Sequence, residues 1–148
     1  MFKIILFLIF VAIIHAKLEL QIEGKKAGWA LRLPCWRIDN KFIHFLLGKE
    51  ITGYHFWLLI LFFMLFHSPY LFIPLTLKNE FLILGLFCWY WIAEDFFWFM
   101  ENNLYGLKNF KPGRIFWHRR WIYFLPVSYI WGMFLGTLSV IIGGLLHV

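Results

Sequence analysis

Glu94 and Asp95 are adjacent acidic residues inside an otherwise apolar stretch, residues 81–103, which reads FLILGLFCWYWIAEDFFWFMENN. The stretch is long enough to cross a bilayer as a helix. An acidic side chain near the bilayer centre costs about 2.5–3.5 kcal/mol on insertion scales, so such residues usually face the protein interior and take part in function. The pair therefore predicts a polar site held within the membrane.

Helical spacing groups further residues with this pair. Glu94, Trp98 and Glu101 lie at i, i+4 and i+7 and share one stripe, while Asp95 is about 100° round the helix. The rise of an α-helix sets Glu101 roughly 10 Å further along the axis than Glu94. If residues 78–80 form a tight turn, the antiparallel partner helix brings His55 to the level of Asn102. The acidic residues thus descend toward His55 at one membrane face.

This constellation predicts a site for a divalent metal cofactor, because carboxylate and imidazole together suit Zn²⁺, Mn²⁺ or Fe²⁺. Such an ion could activate water against a lipid-like substrate. The sequence has neither an HExxH motif nor a histidine-rich diiron pattern. The predicted metal ligands are Glu94, Glu101, His55 and His118. The predicted catalytic residues are Glu94, Asp95 and His118. The substrate is predicted to bind through an anionic group, such as a lipid phosphate, to Arg114, Arg119, Arg120 and Trp98.

Other functions stay open for the same residues. Glu94, Asp95 and His67 could form a proton or ion relay in a transporter-like dimer, with Pro69 interrupting the partner helix. The aromatic segment 87–99 could hold a flat apolar ligand such as a quinone, a carotenoid or a haem, although ordinary packing and lipid contact explain its rings as well.

A non-catalytic membrane scaffold or assembly partner is the remaining alternative. In that case Glu94 or Asp95 would form a structural ion pair with an arginine of the loop 108–120. A scaffold would show salt-bridged acids and no cavity, whereas a site requires Glu94, Asp95, His55 and His118 to converge.

The composition restricts the fold class. The chain has 148 residues, of which 62% are hydrophobic and only 15% are charged, whereas soluble domains have about a quarter of their residues charged. We therefore predict an all-α polytopic membrane bundle that forms a single domain, with interfacial helices in its basic loops, one of them at residues 42–47. The four predicted spans are residues 4–22, 54–77, 81–102 and 127–147.

The basic residues predict the orientation in the membrane. Of the 14 Lys and Arg, seven lie in residues 17–49 and five in residues 108–120. The positive-inside rule makes both loops cytoplasmic if the first segment spans, and anionic headgroups explain the charge better than nucleic acid does. Lys17 and Glu19 then reach toward the interface at the end of that helix. The alternative is a signal peptide cleaved after Ala16, which leaves three spans.

Two further features concern partners and span ends. Gly132, Gly136 and Gly143 recur on one stripe of the last span, which allows close approach by a neighbouring helix or by a second copy in a homo-oligomer. His15 and His147 lie at span ends and receive no role.

Four segments carry a resemblance to known proteins. At IEGKKAGWALRLPCWRI, TGYH, AEDFFWF and FWHRRW the chain resembles a family of small, uncharacterised bacterial integral membrane proteins. The resemblance covers most of the chain after the first helix and implies a location in the bacterial inner membrane. It implies no activity, and no functional residue follows from it.

Overall fold

The computed structural model describes residues 2–24, 28–43 and 49–146. Four long helices account for most of them, which confirms the predicted helical class. Each helix is long and apolar enough to cross a membrane, the second one when counted together with the 3₁₀ turn that follows it. The helices are α1, Phe2–Glu23; α2, Gly53–His67, continued by the 3₁₀ turn Ser68–Leu71; α3, Leu77–Glu101; and α4, Val127–Leu145.

Helix α3 is the centre of the bundle because α1 and α4 both pack closely against it. On α1 the contact is made by Ala12, Ala16 and Leu20, which are buried and spaced four residues apart on one face. Ala12 and Ala16 leave room for the large aromatic side chains of α3. The first segment thus packs as a helix within the bundle.

The glycine stripe of α4 packs against α3 of the same chain. A Cβ atom added to Gly132 would lie 2.7 Å from Ile92 Cδ1, and one added to Gly136 would lie 2.6 Å from Trp89 Cδ1. Gly143 is similarly close to Leu82. Contact within the bundle therefore accounts for the stripe, the first of the two alternatives that the spacing allows.

The connection between α2 and α3 differs from the prediction. Residues 78–80, expected to be the turn, are the first turn of α3, and Thr76 caps them by accepting a hydrogen bond from Asn79 N at 3.2 Å. Helix α2 ends early because Pro69 lacks an amide hydrogen and the chain passes into a 3₁₀ turn. The true connection is residues 72–76.

This shift in the hairpin moves His67 away from the acidic pair. Its Nε2 atom lies 3.1 Å from Glu80 Oε1, and the Tyr70 hydroxyl donates to the same carboxylate at 2.8 Å. Glu80 is fourteen residues before Glu94 on α3, which corresponds to roughly 21 Å along the axis. His67 therefore cannot belong to a proton or ion relay with Glu94 and Asp95, and that part of the prediction is wrong.

The two basic loops contain short β-ladders. Strand β1, Arg37–Ile38, pairs with β2, Ile51–Thr52, and strand β3, Trp121–Ile122, pairs with β4, Leu125–Pro126. Within the described part of these loops, helical structure is confined to residues 41–43 and the 3₁₀ turn Leu107–Asn109. Interfacial helices were expected here, and most of segment 42–47 lies outside the described residues.

Both basic loops meet at the same end of the bundle. A Cβ atom on Gly28, in the first loop, would overlap the ring of Trp117 in the second. Trp117 belongs to a buried cluster with Ile115, Trp98 and Phe99, against which Trp29 of the first loop packs. The loops thus form a common cover over the ends of α1, α2, α3 and α4.

The contact between α3 and α4 can be tested at Gly85. A Cβ atom there would lie 2.7 Å from the carbonyl oxygen of Gly136 and 2.6 Å from Val140 Cγ2. Because backbone atoms cannot move aside, we expect Gly85→Ala to destabilise the bundle by about 1–3 kcal/mol. Gly144→Ala is the control, since nothing lies within 4 Å of its added carbon, and it should be neutral or slightly stabilising. Detergent-induced unfolding followed by circular dichroism measures both; equal stability would contradict this packing.

Candidate functional site

A cavity of about 440 Å³ lies under the common cover formed by the two loops. Its wall is built from the ends of α1, α2 and α4 that face this cover, from the second half of α3 and from the loops themselves. Five of the eight acidic residues of the chain line it. They are Glu19, Glu23, Glu50, Glu94 and Asp95.

Helix α1 carries three polar side chains on one face, of which Glu19 and Glu23 line the cavity. His15, Glu19 and Glu23 lie at i, i+4 and i+8, and each is at most 6% exposed. Packing of the small side chains of α1 on α3 brings this face toward Glu94, which is 3% exposed. His15 Nδ1 lies 3.9 Å from Glu94 Oε1.

His15, Glu19 and Glu94 form the tightest group of possible metal ligands. One ligand atom from each of the three lies within 4.8 Å of the others. Glu19 Oε1, Glu94 Oε1 and His15 Nε2 are buried and have no hydrogen-bond partner among the described residues. A buried carboxylate oxygen without a donor costs several kcal/mol. A cation between the two carboxylates would remove that cost.

The chemistry of this ligand set is that of a divalent metal. One imidazole and two carboxylates match the ligands preferred by Zn²⁺, Mn²⁺ and Fe²⁺, and three protein ligands leave positions open for water or substrate. The Tyr90 hydroxyl lies 2.9 Å from His15 Nδ1. That contact holds the ring in orientation, as outer hydrogen bonds to ligating histidines commonly do.

His55 lies beside this group at the start of α2. Thr52 Oγ1, 2.7 Å from His55 Nδ1, turns the other ring nitrogen toward α1. His55 Nε2 is 3.4 Å from Glu23 Oε1 and 4.0 Å from Glu19 Oε1, and the Trp29 ring stacks on the imidazole at 3.8 Å. His55 therefore adds a second imidazole within reach of the α1 carboxylates.

Asp95 belongs to a separate polar group on the same cavity wall. His118 Nε2 lies 3.0 Å from Asp95 Oδ2, and the Tyr129 hydroxyl donates to the same carboxylate oxygen. The other nitrogen of His118 is 3.4 Å from Ser128 Oγ. All four residues line the cavity. The structure thus brings Glu94, Asp95, His55 and His118 to one cavity, together with Trp98.

Other predicted site residues lie elsewhere. Glu101, the last residue of α3, pairs with Lys17 Nζ at 3.2 Å at the surface and does not line the cavity, so its prediction as a metal ligand is not supported. Arg114, Arg119 and Arg120 are exposed on the second loop and do not line the cavity. They are placed outward because Ile115 and Trp117 take the buried positions of that segment, and they cannot receive a substrate inside the cavity.

Lys49 is a basic residue among the described residues that line the cavity. Its Nζ atom lies 3.3 Å from the centroid of the Trp29 ring. Burial lowers the pKa of Lys49 to about 8 because it disfavours the charged form. The negative charges of Asp95, Glu19 and Glu94 act in the other direction and raise the pKa, but burial is the larger effect. Glu50 is already paired with Arg37. Among the described residues that line the cavity, carboxyl groups therefore outnumber the ammonium and guanidinium groups.

The α1 residues are the functional candidates that sequence reasoning missed. Glu19 was expected to reach toward the interface and His15 to have no role, yet both face Glu94. Their regular spacing with Glu23, four residues apart within an apolar helix, is the signal that could have found them. Ser128 and Tyr129 also line the cavity, but the sequence around them has no comparable spacing of polar residues that would have identified them. His147 lies outside the described residues.

Comparisons with protein-family models, with curated proteins and with solved structures each give no match for this chain. Any function assigned to the chain therefore depends on the cavity and the residues around it.

The environment of Lys49 can be tested by titration. Its pKa of about 8 lies below the usual 10.5, so folding disfavours the charged form. Lys49 should then destabilise the folded state at neutral pH, and this penalty should be relieved as the pH rises from about 8 to 10.5. NMR of protein with ¹³C-methylated lysines should show one resonance titrating near pH 8 that is missing in Lys49→Arg. Titration of every lysine above pH 10 would contradict this burial.

Proposed function

We propose that this chain is a multi-pass membrane protein that holds a divalent metal in its acidic cavity and uses it in chemistry on a lipid-like substrate. The observation that carries the proposal is the group of His15, Glu19 and Glu94. Their ligand atoms lie within 4.8 Å of one another, and Glu19 Oε1 and Glu94 Oε1 are buried without a hydrogen-bond partner in the described part of the chain.

The surface of α2 supports the location in a membrane. Gly53 is the one buried residue of this helix, and Trp57, Leu61 and Met64 are each more than half exposed. Soluble proteins rarely expose a continuous apolar surface of this kind, and lipid chains would cover it. Similar rows of exposed apolar side chains on α1 and α4 extend the belt around the bundle.

The charge distribution supports an orientation with the cavity near the cytoplasmic face. Twelve of the 14 Lys and Arg lie in the two segments that flank or form the loops at this end, and such a bias marks the cytoplasmic side. We infer that the membrane is a bacterial inner membrane and that Arg114, Arg119 and Arg120 contact anionic headgroups from the loop surface.

The wall of the cavity suits a substrate with an apolar part. Phe56 and Leu59 of α2 and Phe87 and Ile92 of α3 are among the apolar residues that line it. The metal, held by His15, Glu19 and Glu94, would polarise the substrate or lower the pKa of a bound water. His55 Nε2 lies 3.4 Å from Glu23 Oε1 and 4.0 Å from Glu19 Oε1, so His55 and Glu23 are close enough to this ligand group to hold such a water or to move its proton.

The alternatives receive less support from this geometry. A scaffold would leave no cavity and would expose the glycine stripe, whereas a cavity is present and the stripe packs on α3. A transporter-like relay would need His67, which pairs with Glu80 instead.

Metal analysis of purified protein tests the proposal. The protein would be placed in lipid nanodiscs, stripped with a chelator, and reloaded in turn with Zn²⁺, Mn²⁺ and Fe²⁺ before elemental analysis. We expect about one ion per chain for the preferred metal. Glu94→Gln and Glu19→Gln should lower the metal content by at least about tenfold, because each removes a charged ligand.

Glu101→Gln is the matched control, since Glu101 is on the same helix but pairs with Lys17 at the surface. It should keep the wild-type metal content. Absence of stoichiometric metal in the wild type, or equal loss in the Glu94 and Glu101 variants, would contradict the proposed site.

A further inference from the structure

We propose that Ser128 is a nucleophile for acyl transfer, with His118 as its general base. This second centre shares the cavity with the proposed metal site but uses none of the ligands His15, Glu19 and Glu94. It would act on a carboxylic ester that carries a long apolar chain.

The first observation is a continuous chain of polar contacts. Asp95 Oδ2 lies 3.0 Å from His118 Nε2, and His118 Nδ1 lies 3.4 Å from Ser128 Oγ. A carboxylate at Nε2 keeps the ring proton on that nitrogen, so the lone pair of Nδ1 points at the serine hydroxyl. This is the relation of acid, base and nucleophile that activates serine in unrelated folds, where it is recognised by geometry rather than by sequence.

The second observation is that the base is held firmly. His118 is 6% exposed and its backbone carbonyl accepts a hydrogen bond from the Trp121 indole. Asp95 is fixed in turn by the Tyr129 hydroxyl, which donates to the same oxygen that faces His118. Asp95 and Tyr129 are thus positioning residues. Ser128, in contrast, is exposed on the cavity wall, where a substrate can reach it.

The third observation concerns the backbone around Ser128. It is the second residue of α4, a helix of 19 residues, and the amide of Val127 before it donates to Arg120 O at 2.9 Å. The amides of Ser128 and Tyr129 have no acceptor within the helix, because they belong to its first turn. Amides at a helix start can stabilise a developing oxyanion.

These groups support a balanced two-step reaction. Ser128 Oγ forms a bond to the ester carbonyl carbon while its proton passes to His118 Nδ1. The tetrahedral oxyanion then collapses, the bond to the alcohol oxygen breaks, and the alcohol leaves with the proton from His118. Water attacks the acyl-serine in the second step, gives a proton to His118, and releases the carboxylic acid and the free hydroxyl of Ser128.

The shape of the cavity selects the substrate class. Its apolar wall, which includes Phe56, Leu59 and Ile92, suits a hydrocarbon chain. The excess of carboxyl groups over basic side chains disfavours an anionic group next to the ester. A long-chain ester with a neutral or cationic alcohol part fits both properties.

Covalent labelling tests this proposal. Wild-type protein in nanodiscs would be treated with a long-chain alkyl fluorophosphonate, and mass spectrometry would locate the adduct. We expect one adduct, on Ser128, and none in Ser128→Ala. His118→Gln and Asp95→Asn should label at least roughly 10²-fold more slowly, because general-base assistance is lost. Ser139→Ala, a change on the same helix, should label like the wild type.

A further comparison separates this proposal from the metal site. Wild-type protein stripped with a chelator should keep the labelling rate, and Ser128→Ala should keep the metal content. Unfolding curves in detergent would identify any variant that fails to fold. If His118→Gln or Asp95→Asn fails to fold, the comparison of the wild type with Ser128→Ala, a change at an exposed residue, still tests the proposal. An unlabelled wild type, an adduct on another residue, or a folded His118→Gln that labels at the wild-type rate would overturn the proposal.

Discussion

The structure depends on one constraint, the placement of several carboxyl groups inside a bundle whose outer surface is apolar. Glu19, Glu23 and Glu94 are almost completely buried, and ions in such surroundings need a partner. The helices meet this need by turning their acidic faces toward a common cavity, with imidazoles from His15 and His55 between them. The close packing of α1 on α3 through small residues is what makes this convergence possible.

The loops contribute as much to the cavity as the helices do. Trp29 stacks on His55 and lies under the Lys49 ammonium, while Trp117 packs on Trp98 and Phe99 beneath the second loop. Trp29 and Trp117 both line the cavity, and the stacking of Trp29 on His55 fixes an imidazole at its wall. Arg114, Arg119 and Arg120 lie exposed on the outside of the second loop.

Sequence reasoning recovered the parts of this arrangement that follow from local pattern. The four candidate spans follow from hydropathy, and helical spacing indicates that Glu94 and Asp95 lie on neighbouring faces of one helix. Neither pattern places His55 or His118, which the tertiary structure brings to the same cavity. The hairpin register was wrong because Pro69 ended α2 early and Thr76 capped α3 before the expected turn. The shift separated His67 from the acidic pair.

The remaining errors concern tertiary placement. Glu101 and the loop arginines have suitable chemistry, but burial of Ile115 and Trp117 decides which way that loop faces. The role of α1 was missed because hydropathy identified the segment as a span without indicating which neighbour its polar face meets. Such pairings depend on packing between distant elements, which spacing along one helix does not define.

The central claim, that the acidic faces of α1 and α3 meet, can be measured directly with a bridging metal. Both native cysteines are free and would be replaced by serine, and Glu19 and Glu94 would be changed to cysteine singly and together. Because thiolates bind soft ions tightly, Cd²⁺ should slow maleimide labelling and raise the stability of the double variant far more than of either single variant. If Cd²⁺ affects the double variant no more than the single ones, the two faces do not meet and this account is contradicted.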